Sequence, residues 1–504
     1  MSSIPNYDSD LCGKVPIHLI NTIQPYGALL VIDKLHLRII QASENTEAIF
    51  GLPAPGLINT FIGDHLDAKS LALLQQLTTG VKTDKVPLIW TIRDQPFLVL
   101  VHVKDKYVLV ETESTPHQTG EQHSFVNVFQ EIKYSMALIE AADATSEVCR
   151  VAAKELQRIS GFDKVMIYRF DPDWNGYVIA EAKVAEMESY LGFTFPASDI
   201  PRQARDLYLK NPYRFIPDRN YQPVGLYPVM NPLTRSFIDL SDCNVRGIVA
   251  VHLEYLANMG VTASMSTRIL SNDRLWGLIV CHHQDVKPFS FELCSLFELL
   301  SHTISARILS LHNKERREFT TGLQESYNRI IAQIYDKEDV AEGLFEGDLS
   351  VLTLFNAGGA LLALGRDRYT SGVLPEKDRT EELLFWLQSR QLTKIYHSDH
   401  LSAGFDQAVT YSDMASGLLV IPIHPGRNEY LLLFRPEAEK VIEWGGDPDG
   451  RIIFEKDEKN YHPRNSFKKW RQILKNNSLP WKEEELTVAE TMRSFLYEHS
   501  NKQA

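Results

Sequence analysis

The 504-residue sequence has few cysteines and no long apolar run. Its five cysteines are an odd number without CxxC spacing, which indicates reduced thiols in a cytoplasmic protein rather than a disulfide framework. No apolar stretch approaches the roughly 20 residues that a membrane-spanning helix needs. The acidic segment 1–11 also lacks the basic start of a signal peptide. We therefore expect a cytoplasmic protein with no membrane partner.

Positive charge is also in short supply, with 52 Lys and Arg against 65 Asp and Glu and a net charge of −13. This balance disfavours a nucleic-acid partner. The sequence lacks the enzyme signatures GxxxxGK[ST], HExxH and GxSxG. His282–His283 and the pair His397 and His400 have no Cys or carboxylate set at ligand spacing. We expect neither a catalytic residue nor a metal site.

Length and residue pattern predict three α/β domains, over residues 1–122, 123–314 and 315–504. A polar linker is expected over 111–122 and a helical pattern over 125–158. Residues 195–240 are rich in proline and poorly periodic, which predicts a functional irregular segment. Strands or hairpins are expected at 28–32, 98–110, 164–170, 176–182, 268–280, 350–355 and 430–434.

A long helix is expected to cross from the second domain to the third. Pro288 precedes it, Ser290 can cap it, and the pattern continues to about Tyr335. Apolar residues recur at three- and four-residue steps over 293–311. The stripe favours a parallel or antiparallel homodimer through this helix, and the alternative is that the stripe packs on its own domain.

Two stretches, 195–214 and 246–266, supply a set of aromatic residues together with the arginines Arg214 and Arg246, the acid Asp199 and the histidine His252. This combination suits a flat, apolar ligand with two carboxylates and central polar nitrogens, because arginine pairs bidentately with carboxylates. On composition alone, a core histidine with surface arginines explains the same residues. The residues concerned are Phe195, Asp199, Tyr208, Arg214, Arg246, His252, Tyr255, Ser264 and Ser266.

Motifs along the chain resemble those of phytochromes, in the order of the PAS, GAF and PHY domains of a bacteriophytochrome photosensory core. The PASDIP string at 196–201 is the most specific of them. The resemblance covers essentially the whole chain. It implies an α/β (α+β) fold of antiparallel sheets flanked by helices, a knotted PAS/GAF interface and a PHY tongue at about 437–480. The other matching segments are 23–27 (IQPYG), 246–260, 275–283, 444–446 (WGG) and 463–467 (PRNSF).

The resemblance implies that the chain binds a linear tetrapyrrole through named residues. Cys12, in an N-terminal attachment segment, would add to the A-ring vinyl group as a thioether, which requires a thiolate. Arg214 and Arg246 would pair with one propionate, and Ser264 and Ser266 would hold the other. The remaining residues assigned to the pigment are Tyr168, Tyr190, Phe195, Asp199, Ile200, Tyr208, His252, Tyr255 and His282.

The same resemblance separates the two ends of the pigment. The carbonyl of Asp199 would accept from the pyrrole N–H groups, with His252 nearby through a water. His282 would meet the D-ring carbonyl. The residues expected to wall the D ring, which rotates, are Tyr168, Tyr190, Phe195 and Tyr255.

The cysteine pattern favours biliverdin IXα over phycocyanobilin. Plant and cyanobacterial phytochromes attach phycobilins through a cysteine just before the pocket histidine, and Val251 stands at that position here. Cys12 is at the place that bacteriophytochromes use. The chain departs from the family at 249–251, where Val-Ala-Val replaces a tripeptide containing Ser-Pro and removes a hydroxyl from the pocket.

The function implied is that of a red/far-red photoreceptor, which photoconverts between Pr and Pfr by isomerisation of a bilin double bond. In the family Asp199 meets a tongue arginine in one state and a tongue serine in the other, here Arg464 and Ser466, beside the Trp444 motif. The chain would act in sensory transduction and would not itself be an enzyme. The signal would pass to an output domain absent from the chain, such as a histidine kinase with its response regulator. The alternatives are a PAS–GAF sensor of haem or a small molecule such as a cyclic nucleotide, and an enzyme that degrades tetrapyrroles.

Overall fold

The computed structural model describes two compact units of mixed α/β structure, with antiparallel sheets flanked by helices as expected. The first unit contains the described residues of Met1–Leu311 and Glu443–Trp470, and the second those of His312–Ile442 and Arg471–Ala504. Within the described residues, no helix is long and apolar enough to cross a membrane. The described residues are 17–79, 85–115, 125–288, 291–347, 349–448, 452–454, 461–463 and 466–503.

The N-terminal sheet of the first unit has seven strands, and apolar side chains cover both of its faces. Its central strand Gly27–Asp33 is buried because Ala28, Leu30 and Ile32 face one core and Leu29 and Val31 face another. The helices of this region are Glu47–Phe50, Ala54–Leu57, Ile62–Asp64 (3-10) and Ala68–Thr79. The strands, in spatial order, are Thr22–Ile23, Val224–Tyr227, Ile39–Ser43, Gly27–Asp33, Tyr107–Glu113, Gln95–Val103 and Val86–Ile92.

Two expectations about this sheet are wrong. The strand expected at 98–110 is two strands joined by a turn at 104–106, and the polar linker expected from residue 111 is still strand to Glu113. The carboxylate of the buried Glu111 lies 2.7 Å from His102 Nε2 and accepts from Val245 N at 2.8 Å. These partners allow a polar residue to continue a buried strand.

The beginning of the described chain runs against the segment 224–247. Strand Val224–Tyr227 joins the N-terminal sheet beside Thr22–Ile23. Leu240 N donates to His18 O at 3.0 Å, and Gly247 N donates to Thr22 O at 2.8 Å. These contacts join the first two predicted domains, and the knot expected between them stays a prediction.

The central sheet of the first unit separates a helical core from a cavity. The helix expected over 125–158 is two helices with a break at 142–144, and the segment expected to be irregular contains helix Arg202–Lys210. The helices are Phe125–Ala141, Thr145–Ser160, Ala197–Asp199 (3-10), Arg202–Lys210 and Ala250–Asn258. The strands, in order, are Tyr213–Ile216, Ala263–Ser271, Arg274–His283, Lys164–Phe170, Gly176–Lys183 and Thr194–Phe195, extended by Lys440–Gly445 and Lys469–Leu474.

One helix, Phe291–Lys337, contributes its first part to the first unit and the rest to the second. Phe297, Leu300, Ile304 and Ile308 of its apolar stripe are fully buried in the helical core of the first unit. The stripe therefore packs on its own domain, and a homodimer, which stays a prediction, would need other residues.

The second unit is built on a five-stranded antiparallel sheet. The strand expected at 350–355 is wrong, because Val351–Leu354 is a short helix whose Val351 and Leu354 pack into the core. Its strands, in order, are Asp367–Gly372, Gly359–Leu364, Glu429–Arg435, Gly417–His424 and Tyr396–Ser398. Its other helices are Val340–Phe345, Lys377–Ser389, Leu401–Ala403 (3-10), Asp406–Tyr411 (3-10), Ser412–Ala415, Pro425–Arg427 (3-10) and Glu483–Gln503. A two-stranded pair, Ile452–Phe454 with Tyr461–Pro463, belongs to the first unit.

Candidate functional site

A cavity of about 390 Å³ lies in the first unit between the central sheet and the helices Arg202–Lys210 and Ala250–Asn258. Every site residue predicted outside the tongue and within the described chain lines it, and Cys12 lies outside the described residues. These residues are Tyr168, Tyr190, Phe195, Asp199, Ile200, Tyr208, Arg214, Arg246, His252, Tyr255, Ser264, Ser266 and His282. Their roles toward a pigment stay predictions.

Strand periodicity explains how the central sheet brings these residues together. Alternate side chains of a strand share a face, so Ser264 and Ser266 line the cavity while Met265 between them enters the helical core. The Tyr168 ring packs against Gly176 of the neighbouring strand, where there is no side chain in its way. A Cβ at Gly176 would be 1.7 Å from Cε1 of Tyr168.

Two arginines form a cationic wall. Arg246 donates from Nη1 to Ile17 O at 2.7 Å, and Arg214 donates from Nη2 to Gly247 O at 3.5 Å. Among the described residues, neither has an ion-pair partner, and neither Nε has a hydrogen-bond acceptor. Burial, and then the charge of Arg214, lower the pKa of Arg246 to about 9. Burial also lowers the pKa of Arg214. Two enclosed cations without a carboxylate are suited to bind an anionic group.

A hydroxyl pair stands next to this wall. The Tyr208 hydroxyl and Ser266 Oγ lie 2.6 Å apart. Burial raises the pKa of Tyr208, so its phenol stays protonated and can donate. Ser264 lies two residues before Ser266, on the same face of the strand. The wall thus offers guanidinium and hydroxyl donors together.

Two histidines that line the cavity are held neutral. Burial, followed by Arg214 and Arg246, lowers the pKa of His252 to about 3. Burial, followed by Lys164 and His252, lowers the pKa of His282 to about 3. His282 is 4% exposed, and its Nδ1 has no hydrogen-bond partner among the described residues. A neutral imidazole offers one donor and one acceptor, so each histidine can donate a hydrogen bond to a polar ligand group or accept one from it.

Asp199 and an aromatic group form the other side of the cavity. The Tyr255 hydroxyl donates to Asp199 Oδ2 at 2.9 Å. The ring of Phe195 lies 6.0 Å from that of Tyr168 and 5.8 Å from that of Tyr190, between centroids. Edge and tilted contacts at such distances are favourable aromatic geometry. The result is an apolar compartment beside one carboxylate.

Several residues of the site were missed by the sequence reasoning. Arg205 is 6% exposed, donates from Nη1 to Ile200 O at 2.7 Å, and lies 4.6 Å from the Trp174 ring, so it fixes the turn that carries Asp199. The sequence could have indicated this role, because Arg205 stands four residues after Pro201, on the first turn of the helix that follows the motif. Strand alternation could have found the apolar lining of Met166, Val178, Leu278 and Val280.

The tongue segment meets the aromatic side of the site. Trp444 is 6% exposed and pairs in parallel with Thr194. A Cβ on Gly445 would lie 2.8 Å from Cε1 of Phe195, so the close approach requires glycine. Phe467 contacts the Tyr255 ring edge-on at 5.2 Å, a contact that the sequence did not reveal. Ser466 is exposed and does not line the cavity, and the predicted partner Arg464 lies outside the described residues.

Three family models match successive parts of the chain: PAS fold over residues 12–115, GAF domain over 145–308 and phytochrome region over 323–504. The chain is 35% identical over 495 residues to cyanobacterial phytochrome B of Nostoc sp., covering 97% of this chain and 66% of that protein. It is 31% identical over 510 residues to a bacteriophytochrome of Xanthomonas campestris pv. campestris, covering 98% of this chain and 80% of that protein. The chain spans about two thirds of the length of cyanobacterial phytochromes B and A of Nostoc sp. and of phytochrome-like protein Cph1 of Synechocystis sp., 66%, 64% and 65%.

Solved structures agree with these relatives. The bacteriophytochrome RpBphP3 from the photosynthetic bacterium R. palustris superposes with a TM-score of 0.85 at 33% identity, covering 98% of this chain and 99% of that chain. The photosensory core module of the Stigmatella aurantiaca phytochrome superposes with a TM-score of 0.83 at 30% identity, with the same coverage of 98% and 99%. The likeness extends over the whole fold.

Proposed function

Because the chain belongs to the phytochrome family and spans its PAS–GAF–PHY photosensory core, we propose that it is a red/far-red light photoreceptor. The proposed pigment is biliverdin IXα, attached through Cys12, and the proposed photochemistry is interconversion of Pr and Pfr. The domain boundaries we propose are those predicted from the sequence, at residues 122 and 314.

The single observation that supports this proposal most is the combination of donors in the 390 Å³ cavity. Its volume is within the range of small-molecule sites. Nε of Arg214, Nε of Arg246 and Nδ1 of His282 are buried polar atoms without a hydrogen-bond partner among the described residues, and a ligand can satisfy them. A tetrapyrrole has two carboxylates, ring nitrogens and terminal carbonyls on an apolar frame, and the residues present fit those groups.

Each side of the cavity then has its own task. Bound biliverdin would supply absorption of red light and rotation about a double bond. Arg214, Arg246 and the Tyr208–Ser266 hydroxyl pair would hold carboxylates by charge-assisted hydrogen bonds. His252 and His282, held neutral by burial, would donate or accept without adding charge. The remaining aromatic residues would exclude water from the ring that moves.

We propose that the signal leaves through the tongue. Trp444, Gly445 and Phe467 contact the residues that wall the cavity, so a change at Asp199 or Tyr255 has neighbours in this segment. We also propose that Asp199 contacts Arg464 in one light state and Ser466 in the other. We also propose a homodimer and a separate output domain, such as a histidine kinase with a response regulator, and a cytoplasmic location for a chain that is itself not an enzyme.

The test is reconstitution. Purified apoprotein mixed with biliverdin should give a green holoprotein whose long-wavelength band bleaches in red light and recovers in far-red light or darkness. Haemin and phycocyanobilin serve as competing ligands. A protein that binds haemin but not biliverdin, or biliverdin without any light-induced difference spectrum, would contradict the proposal.

A further inference from the structure

Lys164 is a buried cation beside the cavity and is not one of the residues that line it. It begins strand Lys164–Phe170, and its side chain is 1% exposed. Alternate residues of a strand share a face, so Lys164 faces the same side as Met166 and Tyr168, which line the cavity. Lysine is almost never fully buried unless it is paired, and its contacts therefore need an explanation.

The ammonium of Lys164 lies on an aromatic ring. Its Nζ is 3.8 Å from the centroid of the Tyr190 ring. Within the described part of the chain, Lys164 has no ion pair. A cation on a ring face is more strongly attracted when it is shielded from water. Tyr190 is also held by its backbone, because its N–H donates to Glu181 Oε1 at 2.9 Å. The ammonium thus contacts the ring, and Glu181 holds the backbone that carries it.

Lys164 also stands directly opposite His282 on the neighbouring strand. Paired residues of antiparallel strands have Cβ atoms about 5 Å apart on the same face. His282 lines the cavity, and its Nδ1 has no partner among the described residues. One cation therefore contacts the Tyr190 ring and faces an imidazole of the site.

The charges around this group define its state at neutral pH. Burial lowers the pKa of Lys164 to about 8, opposed by Glu181 and Glu188 and assisted by Lys183. Most Lys164 side chains are therefore still protonated at pH 7. Burial, Lys164 and His252 together keep the pKa of His282 at about 3. A protonated lysine thus faces a neutral histidine.

We propose that Lys164 is a positioning residue of the cavity: its ammonium holds the Tyr190 ring in the wall and opposes a positive charge on His282, which it faces across the paired strands. This inference rests on the proposed function for the identity of the ligand, a tetrapyrrole. Loss of the ammonium should change the absorption of the bound pigment and its photoconversion. It should leave binding intact, because Arg214 and Arg246 are untouched.

The first test uses the apoprotein and needs no pigment. Lys164→Met keeps the apolar stem and removes the charge, Lys164→Arg keeps the charge, and Lys183→Met removes a neighbouring charge that does not face His282. NMR of histidine-labelled protein at pH 4.5, with the His282 signal assigned by His282→Gln, reports its protonated fraction. We expect that fraction to rise about tenfold in Lys164→Met, equivalent to about one pKa unit. It should stay at the parent value in Lys164→Arg and Lys183→Met.

An equal protonated fraction in Lys164→Met and the parent would overturn the inference. Circular dichroism checks that the variants are folded at pH 4.5. If Lys164→Met is not folded there, Lys164→Gln, which is also uncharged, takes its place in the same comparison.

The second test uses protein loaded with biliverdin. We expect the long-wavelength band and the photoproduct yield to change in Lys164→Met and to match the parent in Lys164→Arg. If the parent itself takes up no biliverdin, the proposed function fails, while the apoprotein measurement still decides the role of Lys164. If Lys164→Met binds biliverdin with the parent's spectrum and photoproduct yield, the inference about Lys164 is wrong.

Discussion

We expect single residues to decide which pigment the cavity can hold and how it is attached. Val251 stands where a phycobilin-binding cysteine would be, and it lines the cavity. Cys243 also lines the cavity, but burial raises the pKa of its thiol far above the usual value, which makes it a poor nucleophile. Of the cysteines in the sequence, Cys12 therefore remains the expected attachment point.

We expect Cys12→Ala to bind biliverdin without a covalent bond, because the arginines and the aromatic wall remain. The measurement is zinc-induced fluorescence of the protein band after denaturing electrophoresis. The band should vanish in Cys12→Ala and persist in the control Cys243→Ala. A fluorescent band in Cys12→Ala would show that another residue is attached.

Residue-scale electrostatics also predict how stability depends on pH. His282 has a pKa of about 3 in the folded apoprotein and of about 6.5 when unfolded. The unfolded state then binds more protons between these values, so the free energy of unfolding falls as pH falls below about 6.5. From pH 7.0 to 5.5 we expect this histidine to account for a loss of about 1 kcal/mol.

Urea unfolding of the apoprotein at the two pH values measures this loss. In His282→Gln the difference between pH 7.0 and 5.5 should shrink by about that amount, since the side chain no longer titrates. The same difference in the parent and in His282→Gln would mean that His282 is not held neutral by the fold.

At the scale of elements, the long helix Phe291–Lys337 has one face that packs into the helical core and another that is exposed. Ile304 is fully buried in the helical core, whereas Leu299 on the same helix is 44% exposed. A carboxylate in the core would be an unpaired buried charge. We expect Ile304→Asp to lower the free energy of unfolding by several kcal/mol or prevent folding, and Leu299→Asp to change it by less than about 1 kcal/mol.

Chemical denaturation of both variants makes the comparison, since each introduces aspartate into the same helix. If Ile304→Asp is as stable as Leu299→Asp and instead changes the molar mass in light scattering, the stripe serves an interface between subunits. The apolar stripe would then contact a second subunit and not the helical core of its own unit.

The tongue is the second element, and its packing allows no side chain at Gly445. Gly445 approaches Phe195 so closely that a Cβ would lie 2.8 Å from its ring. We expect Gly445→Val to displace strand Lys440–Gly445 from Thr194 and Phe195, which should increase amide hydrogen exchange in that strand in the apoprotein. The control is Gly426→Val, because among the described residues no atom beyond Gly426 and its chain neighbours lies within 4 Å of a Cβ built there. Unchanged exchange in Gly445→Val would show that the strand is not held by this contact.

At the scale of the whole molecule, the two compact units have separate cores, and the cavity lies in the first. Ligand that binds only the folded state stabilises it by about 2.7 kcal/mol at 100 times Kd. Calorimetry should therefore show that biliverdin raises the unfolding temperature of the first unit. In Arg246→Met we expect the increase to be smaller at the same biliverdin concentration, because one cation of the carboxylate wall is gone.

The same increase in the parent and in Arg246→Met would remove Arg246 from the carboxylate wall. A shift confined to the transition of the second unit would place the ligand elsewhere. Both outcomes are read from the same pair of calorimetric scans.

The sequence by itself determined many residues of the cavity and several of the elements that carry them. Alternation over 164–170 and three- and four-residue steps over 293–311 are local patterns, and they predict strand and helix because side-chain direction repeats with a fixed period. The string at 196–201 is specific enough to indicate the family and hence the ligand class. The family is confirmed by relatives and structures.

Only the tertiary structure decided which polar residues are buried and which neighbours an apolar helix face packs against. Glu111 continues a buried strand because His102 and Val245 supply partners far along the chain. Lys164 is buried because the Tyr190 ring covers its ammonium, and the stripe of the long helix packs inward because two other helices and a sheet meet it there. Burial of a charge or a polar group depends on partners that no local period specifies. These positions were therefore fixed by long-range contacts, whereas the elements were fixed by local pattern.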